Sequence, residues 1–297
     1  MLHREILDLV AYHAKWTERF ARHDVHNVYE KARRDLGSAG FAEVAGQRVL
    51  DLGCGPNFAF ALQCAADGAR VTALDAAYVR PDFLPVALVR TLGHGGARPA
   101  LKLVARRMLF ARRYYRALER EAGRPLRRFA RDVAFVISDA ESSALPLPSA
   151  SFDLVASNAV LEHVADVPGF VREIARILAP GGFFYAIIHN FYSLSGGHNP
   201  DWAFADEQPS GRVPAWDHLR ENRFPAYVHL NRLKPEEYRS ALSGALGLVH
   251  FEGRDVNHDP PGTEGERLLT ADLEAELSRY PRELLLTRSW CAIARKP

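Results

Sequence analysis

Apolar and polar residues alternate along this chain with two different periods, and the changes of period mark its elements. Residues 2 to 36 carry Leu2, Ile6, Leu9, Val10, His13, Phe20 and Val25 along one drifting face among charges, which predicts a helix. A short apolar run, Val49 to Leu52, then ends in Gly53 and Gly55, the signature of a buried strand entering a tight turn. Residues 58–69 continue as an apolar helix stopped by Gly68, and residues 69–75 read as a second strand. Strand, glycine loop, helix and strand in that order give two adjacent parallel strands, because such crossovers are right-handed. The alternation resumes with strands at 133–139, 152–158 and 181–190, the last two flanking a helix at 167–180. Five strands interleaved with helices predict a doubly wound α/β sheet. The C-terminal part adds a helix from about Pro235 to Leu246, a strand at 247–253, a helix from about Asp272 to Tyr280 and a strand at 289–296.

Two stretches break the rhythm. Residues 77–131 form an insert where a short crossover would suffice, with Leu101, Val104, Ala105, Met108, Ala111, Tyr115 and Leu118 in one helical stripe. Residues 195–234 interleave glycines and prolines with Trp202, Phe204, Trp216, Phe224 and Tyr227. Loops of that length are usually lids or binding loops, and these aromatics need something to pack on. The expected organisation is an N-terminal helical lid, 1–44, and one domain, 45–297, carrying the insert and an aromatic substrate loop at 195–234.

Composition narrows the classes. With 297 residues, 47% hydrophobic and 25% charged, the chain has enough apolar material for a sizeable core, which excludes disordered, collagen-like and coiled-coil readings. Three cysteines make no disulfide framework, no signal peptide is recognisable, and no uncharged apolar run is long enough for a bilayer, so a soluble cytoplasmic protein is expected. The formal charge is only +2, yet Arg98 to Arg131 holds twelve Lys or Arg against two Glu, a local charge of +10. Such a helix can be a solvated face, can grip an anionic acceptor through bidentate arginines, or can make peripheral contact with an anionic membrane. Specific nucleic-acid binding is not expected, since only Tyr114, Tyr115 and Phe129 are interleaved for stacking. Far in sequence from the glycine loop, these charges are expected to act on the acceptor or its location and not on a cofactor.

The strongest chemical signal is Asp51-Leu52-Gly53-Cys54-Gly55-Pro56-Asn57. Glycines at a strand end let the backbone turn sharply and approach a ligand, and the next helix offers its N-terminal amides. Twenty residues after Gly55 stands Asp75, placed to accept ribose hydroxyls, and Asp139 closes the next strand, placed to accept from an adenine amino group. A dinucleotide would favour a third glycine where Phe58 stands, and its pyrophosphate would be repelled by Asp51. S-adenosylmethionine, with a cationic amino-acid end and no phosphate, suits an acid-rich loop better.

D-L-G-C-G-P at 51–56, Asp75, D-A-E-x-x-x-L-P-x-P-x-x-S-F-D-L-V at 139–155, L-E-H-V at 161–164 and L-A-P-G-G-F-F at 178–184 together resemble the class I S-adenosylmethionine-dependent methyltransferases. The resemblance spans roughly residues 45 to 190. It implies a Rossmann-like, mostly parallel seven-stranded sheet whose last strand is antiparallel, with S-adenosylmethionine as cofactor and S-adenosylhomocysteine as product. It also implies that Asp51, Gly53 and Gly55 line the methionine and ribose end, Asp75 holds the ribose, Asp139 and Ala140 face the adenine, and Asn158 stands beside the sulfonium. One departure is Asn57, where the family often has a third glycine; asparagine tolerates left-handed geometry, so a conserved loop path is expected. The stretches at 195–203 and 213–220 loosely resemble methyltransferases of bacterial glycan and secondary-metabolite pathways.

The expected activity is methyl transfer to a small-molecule or glycan-type acceptor by in-line displacement, with His189 as the base and His163, Asn190, His198, Trp202 and Trp216 around the acceptor. RNA or protein methylation and non-catalytic S-adenosylmethionine binding are the alternatives. No metal is expected, since His198, Asp201, Asp217, His218 and His229 match no tight ligand spacing. An oxygen, nitrogen or carbon atom of the acceptor is compatible with these residues.

Overall fold

A computed structural model describes residues 16–76, 89, 92–93, 104, 107–138, 144–205, 209–254 and 263–297. Its seven strands are β1 (Arg48–Leu52), β2 (Arg70–Asp75), β3 (Ala134–Ile137), β4 (Phe152–Asn158), β5 (Leu178–His189), β6 (Gly247–Arg254) and β7 (Ser289–Arg295). They order as β3-β2-β1-β4-β5-β7-β6, a mixed seven-stranded sheet of Rossmann-like topology. The chain divides into two compact units, residues 1–156 with 177–182, and residues 157–176 with 183–297.

In the first unit β1 is apolar on both faces, with Val49, Leu50 and Leu52 fully buried, as a central parallel strand requires. It runs parallel to β2, Val49 opposite Val71 and Leu52 opposite Leu74, and β2 runs parallel to β3 from Thr72 opposite Ala134 to Asp75 opposite Ile137. Residues 16–23 are α-helical, Asp24–Glu30 widen into a π-helix, and α1 (Lys31–Ser38) completes the N-terminal helix. Of the predicted face, Val25 is buried on the π segment, while Leu2, Ile6, Leu9, Val10 and His13 lie outside the described residues. Helix α2 (Ala59–Ala66) follows the glycine loop and buries Ala61, Leu62, Gln63 and Cys64.

The described part of the insert contains α3 (Arg112–Ala122), which buries Tyr114, Tyr115, Ala117 and Leu118 and keeps its arginines outward. The predicted stripe survives at Tyr115 and Leu118, while Leu101 and Ala105 lie outside the described residues. Several of its charges are met by acids: Glu18 faces Arg113 and Arg120, Asp67 bonds Arg124, and Glu119 holds Arg127 at 2.7 Å.

In the second unit β7 is antiparallel to both neighbours. It pairs with β5 from Phe183 opposite Arg295 to His189 opposite Ser289, and with β6 through a register shift between Leu248 and His250. Helix α4 (Val167–Ile177) precedes β5 and α5 (Pro235–Ser243) precedes β6. The helix predicted near Asp272 to Tyr280 is shorter, α6 (Ala271–Glu276), and an unpredicted one, α7 (Arg282–Leu286), follows with Pro281 as its N-cap. Among the described residues no helix is long and apolar enough to cross a membrane.

Candidate functional site

The first unit builds an acidic cradle at the carboxyl ends of β1 and β2. Gly53 and Gly55 adopt φ of +70° and +63°, values that cost other residues strain. The amides of Gly53 and Cys54 donate to the Leu74 carbonyl at 2.8 and 3.1 Å, and the Gly55 amide donates to Asp75 Oδ2 at 3.0 Å. A side chain at Gly55 would meet no atom within 4 Å, so the loop faces open space there. Asp51 is buried and its Oδ2 accepts from the Ala61 amide at 3.1 Å, inside α2. Burial pushes its pKa up to about 7, the Ala61 bond works against that, and the charges of Asp75 and Asp24 add to the rise. Burial likewise lifts Asp24 to about 6 against its hydrogen bond from Tyr114. The described side chains here are acids, and a ligand with an ammonium and hydroxyls fits them where a pyrophosphate does not.

The loop path differs from expectation at one residue. Left-handed geometry falls on Phe58, with φ of +58°, and not on Asn57. An aromatic residue tolerates this strain, on the order of 1–2 kcal/mol, because Phe58 is wholly buried and meets Phe135 at a centroid distance of 5.9 Å. Burying such a ring contributes about 1.5–3 kcal/mol. Asn57 is instead fastened through its carbonyl, which accepts from the Tyr115 hydroxyl of α3 at 3.0 Å. The insert thus touches the glycine loop through a buried tyrosine, a link that sequence distance concealed. Asp139 and Ala140 lie outside the described residues.

The second unit gathers histidines at the carboxyl end of β5. Asn158 is exposed at the end of β4, and Ala159, at φ +55°, donates to the Ile187 carbonyl at 2.8 Å. The 3₁₀ turn Leu161–His163 follows and sends Glu162 inward and His163 outward. His163 Nδ1 meets the His229 carbonyl at 2.8 Å and so carries a hydrogen there. After β5 the chain makes successive tight turns, Ser193 N to Asn190 O, Gly196 N to Ser193 O and His198 N to Ser195 O. The two glycines permit this path: a Cβ at Gly196 would collide with the Asn190 and Phe191 carbonyls, and one at Gly197 would stand 2.7 Å from His218 Cγ. The turns bring His198 over His189, ring centroids 4.6 Å apart, and against the edge of His163 at 5.0 Å.

A buried relay fixes the state of His189. Ser195 Oγ donates to Glu264 Oε1 at 2.7 Å, and Arg288 donates to the same oxygen at 2.6 Å. The hydroxyl has one hydrogen, so at 2.8 Å it accepts from His189 Nε2, and the lone pair of His189 is on Nδ1. Burial, joined by the charges of His198, Arg288 and His163, holds His189 well below the usual imidazole range and lowers His198 to about 3. Glu162 is 1% exposed, neither of its oxygens has a hydrogen-bond partner, and its approach to His198 Nε2 is 4.0 Å. Desolvation raises its pKa to about 8; the backbone amides of Glu162 and His189 oppose the rise from outside hydrogen-bond geometry. Neutral imidazoles beside a carboxyl that resists ionisation can receive, hold or share a proton.

The remaining predicted residues are packed. Asn190 is 2% exposed and its amide donates to the Leu284 and Thr287 carbonyls, both at 2.7 Å, while its Oδ1 accepts from Tyr192 N. It fastens the end of β5 to the backbone before β7. Trp202 and Trp216 are buried within the second unit, whereas Tyr227 of the same loop is 78% exposed. Sequence reasoning missed Glu162, Ser195, Glu264 and Arg288. Glu162 was visible as the acid of L-E-H-V, whereas the partnership of Ser195 with Glu264 joins positions with no periodic relation.

Comparison with known proteins places the chain among methyltransferases. A family described as "Methyltransferase domain" matches residues 93–186. A ubiquinone biosynthesis O-methyltransferase of Paracidovorax citrulli is 33% identical over 73% of this chain and 71% of its own length. A malonyl-[acyl-carrier protein] O-methyltransferase of Serratia marcescens is 25% identical over 80% of this chain and 74% of its own. Among solved structures, an S-adenosylmethionine-dependent methyltransferase of Mesorhizobium loti superposes with a TM-score of 0.47 at 22% identity, covering 89% of this chain and 97% of that one.

Proposed function

The chain belongs to the S-adenosylmethionine-dependent methyltransferases, and from that premise we propose that it methylates a hydroxyl of a small-molecule or glycan-type acceptor by in-line displacement. The cofactor, S-adenosylmethionine, supplies an electrophilic methyl group on a sulfonium and leaves as S-adenosylhomocysteine. Asp51 would take the cationic amino group, relieving a buried carboxylate of its lack of a counter-ion, and Asp75 would accept from ribose hydroxyls while bracing Gly55. Gly53 and Gly55 allow close approach, Asp139 and Ala140 are assigned to the adenine, and Asn158 to the sulfonium side.

The observation that carries the acceptor reading is the group of buried Glu162 with half-buried His189 and His198. A hydroxyl must lose its proton during transfer, whereas an already nucleophilic carbanion does not. His189 presents Nδ1 as the acceptor of that proton, with its tautomer set by Ser195. Because burial disfavours a lasting imidazolium, the proton taken at Nδ1 passes on to water. Both named relatives are O-methyltransferases, which supports an oxygen acceptor.

The test is methyl transfer from labelled cofactor to a panel of phenols, sugars, carboxylic acids and amines. Phenols or sugars should be methylated, and His189→Asn should lower kcat by roughly 10²–10⁴-fold, the scale of general-base catalysis. Labelling of amines alone would sink the hydroxyl reading. Cofactor binding without turnover on any acceptor would favour a non-catalytic binding protein.

A further inference from the structure

Glu162, His189 and His198 each offer a ligating atom, and these atoms all lie within 4.8 Å of one another. They come from three places in the second unit: the 3₁₀ turn after β4, the end of β5, and the glycine turn beyond it. This explains why no compact ligand motif is visible in the sequence. Zinc-type ions bind imidazole at about 2.0–2.1 Å, so the ligands would draw inward by an ångström or so on loading.

Two observations point to a cation. The first is Glu162, buried with both oxygens unpartnered, since an ionised carboxylate taken from water without hydrogen bonds or a counter-charge is strongly disfavoured. The second is the setting of His189. Histidines that ligate metals donate their other ring N–H to an oriented polar group, which fixes the tautomer and aims the free nitrogen. Here Nε2–H goes to Ser195, Ser195 is held by Glu264, and Glu264 is held by Arg288, which leaves Nδ1 as the ligating atom. Arg288, the nearby permanent cation, is itself countered by Glu264 at 2.6 Å, so it does not claim Glu162.

We propose that Glu162, His189 and His198 bind one divalent transition-metal ion of the zinc or cobalt type, with a coordination position left for an acceptor oxygen. Two imidazoles and one carboxylate suit such ions, whereas magnesium and calcium favour all-oxygen sets. The inference rests on the hydroxyl-methylation reading for its use: a coordinated hydroxyl is a stronger acid, its proton passes to water, and its oxygen keeps the electron pair that bonds the methyl carbon as the carbon–sulfur bond breaks and its pair leaves with S-adenosylhomocysteine. On this account His189 serves as ligand and Glu162 as charge partner when the ion is bound.

The experiment uses the full chain, stripped with chelator and then titrated with Co²⁺ and Zn²⁺. One ion per chain by elemental analysis, with visible d–d absorption from Co²⁺, is expected. Glu162→Gln and His198→Asn should each weaken the ion by at least about tenfold, and Ser195→Ala by about 10–100-fold through His189 orientation. Calorimetry of S-adenosylmethionine should be unchanged in Glu162→Gln, which shows that the variant is folded. Absence of a stoichiometric ion in the wild-type chain, or equal ion binding in the folded Glu162→Gln variant, would overturn the site. Ion content is read without turnover, so an ion-binding protein that methylates no hydroxyl would reject only the acceptor reading. Hydroxyl methylation with no ion bound would reject only the metal.

Discussion

Glu162 makes stability depend on pH in the direction opposite to an ordinary salt-bridged acid. Its pKa rises from 4.5 to about 8 on folding, so the folded state binds its proton more tightly. The stability this contributes is full below about 4.5 and is lost as pH rises through about 8. His198 acts on the other limb: it is lowered from 6.5 to about 3, so stability falls as pH drops through that window. In metal-free protein, thermal unfolding at pH 6 and pH 9 should show a larger loss for the wild type than for Glu162→Gln. The difference should be about 1–3 kcal/mol, the scale for an unsatisfied buried polar group. Equal losses would mean that Glu162 does not ionise in this range.

At the scale of elements, the glycine loop is a joint product of β1, β2, α2 and α3. Tyr115→Phe removes one hydrogen bond to Asn57 and should weaken S-adenosylmethionine by about 0.5–1.5 kcal/mol in calorimetry, whereas Asp75→Ala should cost about 1.5–3 kcal/mol. A Tyr115→Phe protein with wild-type affinity would show that the hydroxyl only packs. This coupling also marks how much the sequence discloses. β1, its glycines, Asp75 and the parallel strands were legible because buried strands leave apolar runs and turns leave glycines. The resemblance supplied the antiparallel late strand, which local periodicity does not encode. The placement of left-handed geometry on Phe58 was hidden because packing against Phe135 overrides backbone preference. The Ser195 to Glu264 contact was equally hidden, being a tertiary hydrogen bond between distant loops. Gly196 and Gly197 read only as breakers, although their real work is to let His198 return over His189.

For the whole molecule, charge and edge geometry govern encounters with surroundings. Arg112, Arg116, Arg128 and Arg131 are exposed, and replacing all four by Gln lowers the +10 segment to +6. Such charges act through a screened field, so acceptor kinetics or binding to anionic vesicles should lose salt dependence while cofactor affinity stays unchanged. Identical salt profiles for both proteins would leave these arginines as a solvated face. The register shift in β6 matters for a different reason. β6 lies at the end of the strand order, and Val249, the extra residue between Leu248 and His250, is 50% exposed. A strand end of the sheet with an unbroken row of amides is a template on which a second chain can add, and a bulge bends that row out of register with any newcomer. Deleting Val249 should therefore raise light scattering of concentrated protein on warming, as straightened edges find each other. The misfit at Val249 is in this sense a guard against self-association, kept at the cost of one unpaired residue.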